Sequence, residues 1–95
     1  VLPQAVAYNR SAVPGAMHRL ARALQVTDPA IGLFDLAKDL GATMALRDLG
    51  MPGDAIDRTA DLALANPYRN PRPLERAPIR DLIAAAYEGR RPTAA

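Results

Sequence analysis

The sequence contains no cysteine, and His18 is its only histidine in 95 residues. Without cysteine, these residues offer no disulfide, no thiolate ligand for zinc or an iron–sulfur cluster, and no thiol nucleophile. A multi-histidine metal site within this stretch is excluded as well. His18 has no carboxylate three or four residues away, so we interpret it as a surface or structural residue. We therefore assign no catalytic, cofactor-binding or metal-binding residue from these side chains.

Aromatic residues are scarce, with no tryptophan, whereas alanine occurs twenty times. This composition favours closely packed helices over a β-sandwich. At 49% hydrophobic, the chain can bury the core of one small domain or of part of a larger one. No apolar run approaches the roughly 18 residues of a membrane helix, and no signal-peptide pattern is visible. We expect a cytoplasmic protein without membrane contact. Because the sequence opens on Val1 rather than Met, we also expect the native chain to extend upstream.

The charges are balanced, with 12 basic and 10 acidic side chains interleaved along the chain. A nucleic-acid-binding domain would concentrate its basic residues on one face. Two neighbouring predicted helices could suggest a helix-turn-helix, but the second carries Asp35, Lys38 and Asp39 where a reading helix would present base-contacting side chains. We expect no nucleic-acid partner.

Proline, glycine and capping residues mark the predicted helix boundaries. The spacing of apolar residues predicts an all-α fold, a bundle of five or six short helices. Asp28, Thr43 and Asp54 are predicted to cap helix starts. The third helix should bury Leu33, Leu36, Ala37 and Leu40. The predicted helices span 3–9, 14–26, 28–40, 43–49, 54–65 and 78–88.

Two groups of acidic residues share helix faces, Asp35 with Asp39 and Asp54 with Asp57 and Asp61. Metal-assisted or glycosidase chemistry needs such carboxylates to face each other across a cleft. Here they lie on predicted solvent faces beside Lys38 or Arg58, and ordinary solvated ion pairs explain them better. The glycines near Gly50 lack the lysine and glycine pattern of a phosphate loop.

The most unusual segment is the stretch 66–73, Asn66-Pro67-Tyr68-Arg69-Asn70-Pro71-Arg72-Pro73. Its prolines predict an irregular surface segment. One interpretation is a rigid connector whose asparagines cap neighbouring helix ends. The other is a pocket wall that presents amide, phenol and guanidinium groups to a polar ligand. The residues alone leave both open.

Several blocks together resemble the C-terminal end of the iron-containing alcohol dehydrogenase family. They are Val1-Leu2-Pro3 with Tyr8-Asn9, then Leu46 to Met51, and then Asn70-Pro71-Arg72, with a closing helix from Ile79. The additional Asn66-Pro67-Tyr68 is similar to the maleylacetate reductase branch. The resemblance covers almost the whole chain, and it depends on the order and spacing of the blocks.

This resemblance implies that residues 1–89 are part of a helical, dehydroquinate synthase-like C-terminal domain, with 90–95 a flexible tail. A dinucleotide-binding domain and the metal and catalytic residues would lie upstream. It further implies a bacterial enzyme of aromatic-compound degradation that reduces maleylacetate to 3-oxoadipate with NADH or NADPH. Its partners would be a small dicarboxylate, the missing domain and a second subunit of a homodimer. The implied substrate-binding residues are Asn66 and Tyr68, with Arg69 or Arg72 as a carboxylate partner.

The alternative is a free-standing helical interaction module without catalysis. It would fold as a cooperative monomer or dimer, whereas a severed part of a larger domain should expose apolar surface and aggregate.

Overall fold

The computed structural model describes residues 1–66 and 68–94. These residues form helices that are joined by turns and irregular segments. Pro67 and Ala95, which belong to the two predicted irregular segments, lie outside the described residues. The all-α prediction is confirmed. The elements are α1 (Leu2–Asn9), a 3₁₀ turn (Arg10–Ala12), α2 (Pro14–Leu24), α3 (Pro29–Asp39), a second 3₁₀ turn (Leu46–Leu49), α4 (Ala55–Ala65) and α5 (Arg76–Glu88).

The start of α3 follows the predicted local chemistry. Asp28 adopts an extended backbone, and its Oδ1 accepts hydrogen bonds from the amides of Ala30 at 3.0 Å and Ile31 at 3.3 Å. Pro29 occupies the first turn, where a missing amide hydrogen costs nothing. The combination satisfies the free amides of this helix end.

Of the other two predicted caps, Thr43 is wrong and Asp54 is right in position but not in its hydrogen bond. Thr43 does not begin a helix, since only the 3₁₀ turn Leu46–Leu49 forms there, after Ala45. Asp54 directly precedes α4 but makes no capping hydrogen bond with its side chain, because its own backbone is already in the right-handed helical region. A capping side chain normally needs an extended backbone to reach forward.

Two helix boundaries also differ from the prediction. Helix α2 ends at Leu24 rather than at residue 26, because Gln25 turns to a left-handed conformation with φ of 56°. Helix α5 begins at Arg76, two residues before Pro78. Proline is tolerated in the first turn of a helix, so it marks the neighbourhood of a start rather than its first residue.

The core lies where α4 and α1 pack against α5. Tyr8, Ala60, Ile79 and Ile83 form its buried centre, with Leu74 and Leu82 partly buried around it. Helix α3 packs against α1 and α2, and Phe34 is buried there. The predicted inner face of α3 is only partly right: Leu33 and Ala37 are half-buried. Leu36 is 46% exposed and Leu40 is 77% exposed, because no described element covers them.

The chain after α5 runs back along α1 and α3. Gln4 Nε2 donates to the carbonyl of Arg90 at 2.9 Å, and Arg10 Nη2 donates to the carbonyl of Thr93 at 2.7 Å. Arg91 makes two hydrogen bonds of 2.9 Å with the carboxylate of Asp35. The flexibility of 90–95 stays a prediction, but these contacts tie its described part to the helices.

Candidate functional site

Tyr8, near the end of α1, anchors the irregular segment that follows α4. Its side chain is only 7% exposed. The hydroxyl donates to the carbonyl of Pro73 at 2.6 Å and accepts from the amide of Glu75 at 3.4 Å. A buried tyrosine hydroxyl needs such partners. The contact joins two positions 65 residues apart and fixes the approach to α5.

Asn9 and Asn70 form a reciprocal pair of side-chain hydrogen bonds. Asn9 Nδ2 donates to Asn70 Oδ1 at 3.1 Å, and Asn70 Nδ2 donates to Asn9 Oδ1 at 2.7 Å. Asn9 Oδ1 also accepts from the amide of Arg72 at 3.2 Å, and Asn9 Nδ2 donates to the carbonyl of Ala5 at 3.1 Å. The segment is therefore held on α1 by side-chain and main-chain contacts.

Arg72 lies over the ring of Tyr8, with its guanidinium carbon 4.1 Å from the ring centroid. Its Nη1 donates to the carbonyl of Tyr8 at 3.2 Å. The side chain is half-buried and pairs with no carboxylate among residues 1–66 and 68–94. Stacking and hydrogen bonding together hold the guanidinium in place.

The other three predicted site residues lie on the surface. Asn66, Tyr68 and Arg69 are all exposed, and Tyr68 is 57% exposed. Asn66 Nδ2 donates to the carbonyl of Leu62 at 3.2 Å, near the end of α4. Arg69 makes no ion pair within the described chain. The structure therefore divides the predicted site into an outward-facing part, formed by Asn66, Tyr68 and Arg69, and the inward-facing Arg72, which lies beside the anchored Asn70.

A shallow cavity of about 420 Å³ lies between α1, α5 and the segment after α5. Among the four predicted site residues, only Arg72 borders it. Its other arginines already have acidic partners: Arg10 pairs with Asp28, Arg90 with Glu88 and Arg91 with Asp35. These pairs neutralise the basic lining, so the cavity has no strong excess of positive charge for an anionic ligand.

The acidic helix faces form solvated ion pairs, as predicted, but with other partners. Arg80 Nε lies 2.6 Å from Asp57 Oδ1, and Arg76 Nε lies 2.9 Å from Asp61 Oδ1. Hydrogen bonds from Arg80 and then Arg76 lower the pKa of Asp57. The partners come from α5 rather than from Arg58 on the same helix. These pairs join α4 to α5 and do not form a facing catalytic dyad.

Within residues 1–66 and 68–94, no group of three or more histidine, cysteine or acidic side chains could hold a metal ion. His18 is exposed on α2, which agrees with its interpretation as a surface residue. No helix in the described ranges is long and apolar enough to cross a membrane.

The sequence analysis gave no site role to Tyr8 or Asn9, which the structure shows to be the anchors of this region. The signal was present but incomplete: Tyr8-Asn9 and Asn70-Pro71-Arg72 are two of the blocks that carried the family resemblance. In the structure these blocks contact each other. Contact between them does not follow from helix periodicity, because α1 is separated from residue 70 by three helices.

A model of the iron-containing alcohol dehydrogenase family, covering its C-terminal region, matches residues 1–87. The chain belongs to this family. The resemblance noted in the sequence is thereby confirmed, including its extent over almost the whole chain.

Similar proteins include two maleylacetate reductases. The one from Sphingobium indicum is 53% identical over 95 residues, covering 100% of this chain and 27% of that protein. The one from Burkholderia cepacia is 52% identical over 93 residues, covering 98% of this chain and 26% of that protein. A crystal structure of maleylacetate reductase from Agrobacterium tumefaciens superposes with a TM-score of 0.90 at 44% identity, over 97% of this chain and 26% of that one. This chain thus spans about a quarter of the length of these relatives.

Proposed function

We propose that this chain is the C-terminal helical part of an NAD(P)H-dependent maleylacetate reductase, in which it forms one wall of the substrate cleft. The observation that carries the proposal is the identity of about half of all residues to maleylacetate reductases over nearly the whole chain. The reaction reduces the carbon–carbon double bond of maleylacetate to give 3-oxoadipate. We further propose that the protein acts in the cytoplasm, in the breakdown of aromatic compounds.

The outward-facing part of the predicted site supports this assignment. Asn66, Tyr68 and Arg69 present an amide, a phenol and a guanidinium next to Asn70, which is hydrogen-bonded to Asn9. Exposed polar groups on a rigidly anchored segment are suited to orienting a polar ligand. In the whole protein this surface would face the upstream domain across the cleft.

Arg69 is a better carboxylate partner than Arg72. Arg72 already stacks on Tyr8 and donates to its carbonyl, so its guanidinium has a structural role. Arg69 is exposed, and its guanidinium N–H groups are available for a bidentate hydrogen-bonded pair with a carboxylate. We therefore assign Arg69 to one carboxylate of the dicarboxylate substrate and Arg72 to support of the segment.

When bound, the nicotinamide supplies the hydride that reduces the double bond. The residues of this chain would orient the substrate rather than react with it: Arg69 would bind a carboxylate, while Tyr68 and Asn66 would offer hydrogen bonds to its oxygens. Correct orientation of the double bond is a large part of such a rate enhancement. The described residues carry neither a metal-ligand cluster nor a glycine-rich phosphate loop, so cofactor and any metal are assigned to the upstream part.

Site variants of the full-length protein test this assignment. Arg69→Gln should raise KM for maleylacetate about 10-fold, because it removes a charge-assisted hydrogen bond. Tyr68→Phe and Asn66→Ala should lower turnover without lowering the melting temperature, since their side chains are exposed. The measurement is steady-state kinetics that follows nicotinamide oxidation.

Arg58→Gln is the matched control, because Arg58 is another exposed arginine on the neighbouring helix α4. It should leave KM unchanged. Wild-type KM in Arg69→Gln, or an equal effect of Arg58→Gln, would contradict the role of Arg69.

A further inference from the structure

The side chain of Asn9 uses all of its hydrogen-bonding capacity on the segment after α4 and on its own helix. A side-chain amide offers two donor hydrogens and an oxygen that can accept two bonds. The two donors go to Ala5 and Asn70, and the two accepted bonds come from Asn70 and Arg72. Three of the four contacts reach across to residues 70–72.

These contacts lie one residue after the outward-facing part of the site. Asn70 follows Arg69 directly, and Asn70 Nδ2 also donates to the carbonyl of Arg72 at 2.6 Å. At the other side, Asn66 is tied to α4 by its bond to Leu62. Tyr8 holds the segment further along, at Arg72 and Pro73, whereas Asn9 holds it at Asn70, directly beside Arg69.

We propose that Asn9 is a positioning residue for the proposed substrate-binding side chains of Asn66, Tyr68 and Arg69. This inference rests on the proposed function, because it assigns Asn9 to the placement of groups that would orient a dicarboxylate. Asn9 acts through Asn70 and the amide of Arg72 and does not touch the substrate. Loss of its contacts lets the segment shift, and a displacement of about 1 Å can reduce a rate about 100-fold.

The test uses the full-length enzyme with Asn9→Leu, which keeps a similar volume and removes all four hydrogen bonds. The inference predicts that kcat/KM for maleylacetate falls by about 10-fold or more, while KM for the nicotinamide cofactor stays unchanged. Gln4→Leu is the matched control on the same helix. It removes the bond to the carbonyl of Arg90 without touching residues 66–72, and it should leave kcat/KM unchanged.

Asn9→Asp provides a second variant that keeps the accepting oxygen and loses both donors. It should lie between wild type and Asn9→Leu in kcat/KM. If Asn9→Leu does not fold, this variant decides the question. Wild-type kcat/KM in a folded Asn9→Asp or Asn9→Leu protein would overturn the proposal, and so would an equal loss in Gln4→Leu, which would indicate general destabilisation.

Hydrogen exchange separates this inference from the proposed function. The Arg72 amide donates to Asn9, so this amide should exchange faster in Asn9→Leu than in wild type and Gln4→Leu. A wild-type enzyme that does not reduce maleylacetate would contradict the proposed function alone. Unchanged exchange of the Arg72 amide would overturn the positioning role whatever the substrate.

Discussion

At the scale of single residues, Tyr8 and Arg72 determine how the segment after α4 is held. The ring of Tyr8 is covered by the guanidinium of Arg72, and its hydroxyl bonds to the carbonyl of Pro73. The sequence predicts Arg72 as a possible ligand-binding group, through the pocket-wall interpretation of 66–73 and through the family resemblance. Its structural partner, Tyr8, is 64 residues away in the sequence. Local sequence patterns do not predict a contact between residues so far apart.

Tyr8→Phe should lower the free energy of unfolding by about 1 kcal/mol, because it removes the hydroxyl that donates to the carbonyl of Pro73. Urea unfolding of the full-length enzyme measures this change. Tyr87→Phe is the control, since Tyr87 is half-buried on α5 and its hydroxyl donates to no described residue. Equal losses in the two variants would show that the Pro73 contact contributes nothing of its own.

At the scale of elements, the helix order was predictable and the helix faces were less so. Pro14, Pro29 and Gly89 mark boundaries through backbone constraints that act within a few residues, and the structure shows helix ends near each. The exposed faces of Leu36 and Leu40 were not predictable in this way. Apolar periodicity states which face of a helix is to be covered, but not whether the covering element lies in the same stretch of sequence.

Ionised Asp57 adds two ion pairs to the apolar contact between α4 and α5. Its pKa is lowered by hydrogen bonds from Arg80 and Arg76, so the folded state favours the charged form. Its contribution to stability is present above the ordinary pKa of 3.8 and is lost as pH falls through the lowered value. Asp57 is 57% exposed in its side chain, so the effect should be small and should weaken with salt.

Asp57→Asn should therefore be less stable than wild type near neutral pH, and this difference should vanish at acidic pH. Chemical denaturation across a pH series at low ionic strength measures it. Asp48→Asn, at an exposed aspartate without an ion pair in the described chain, should show no such convergence. A constant difference for Asp57→Asn at every pH would contradict the role of its charge.

At the scale of the whole molecule, the described chain has a thin core and a large apolar surface. Half of its buried apolar residues are alanines: Ala30, Ala45, Ala60 and Ala86 beside Tyr8, Phe34, Ile79 and Ile83. Leucines at five positions are exposed, from 46% at Leu36 to 77% at Leu40. Such a surface fits a part of a larger domain better than a free-standing module.

The isolated 95-residue chain should self-associate through this surface. Leu40→Glu should reduce the association without loss of helical circular dichroism, because Leu40 lies at the exposed end of α3. Lys38→Glu, on the same helix, changes the charge without removing apolar surface and should have less effect. Sedimentation measures both variants. A wild-type chain that stays monomeric and cooperatively folded at high concentration would favour the free-standing module.

The location of the candidate site was predictable from the sequence. Which of its residues face outward and which are anchored on α1 was not. The run of prolines and asparagines identified residues 66–73 as the unusual segment, and the family resemblance implied substrate contact there. Only the three-dimensional contacts separate the outward-facing Arg69 from the anchored Arg72, because that separation depends on Tyr8 and Asn9 of α1.

The most direct test of the central claim is the reaction itself, measured with the full-length protein that contains this segment. NADH or NADPH oxidation with maleylacetate should proceed with equal amounts of cofactor consumed and 3-oxoadipate formed, identified by mass spectrometry. A folded full-length protein that binds the nicotinamide cofactor but forms no 3-oxoadipate from maleylacetate would contradict the account.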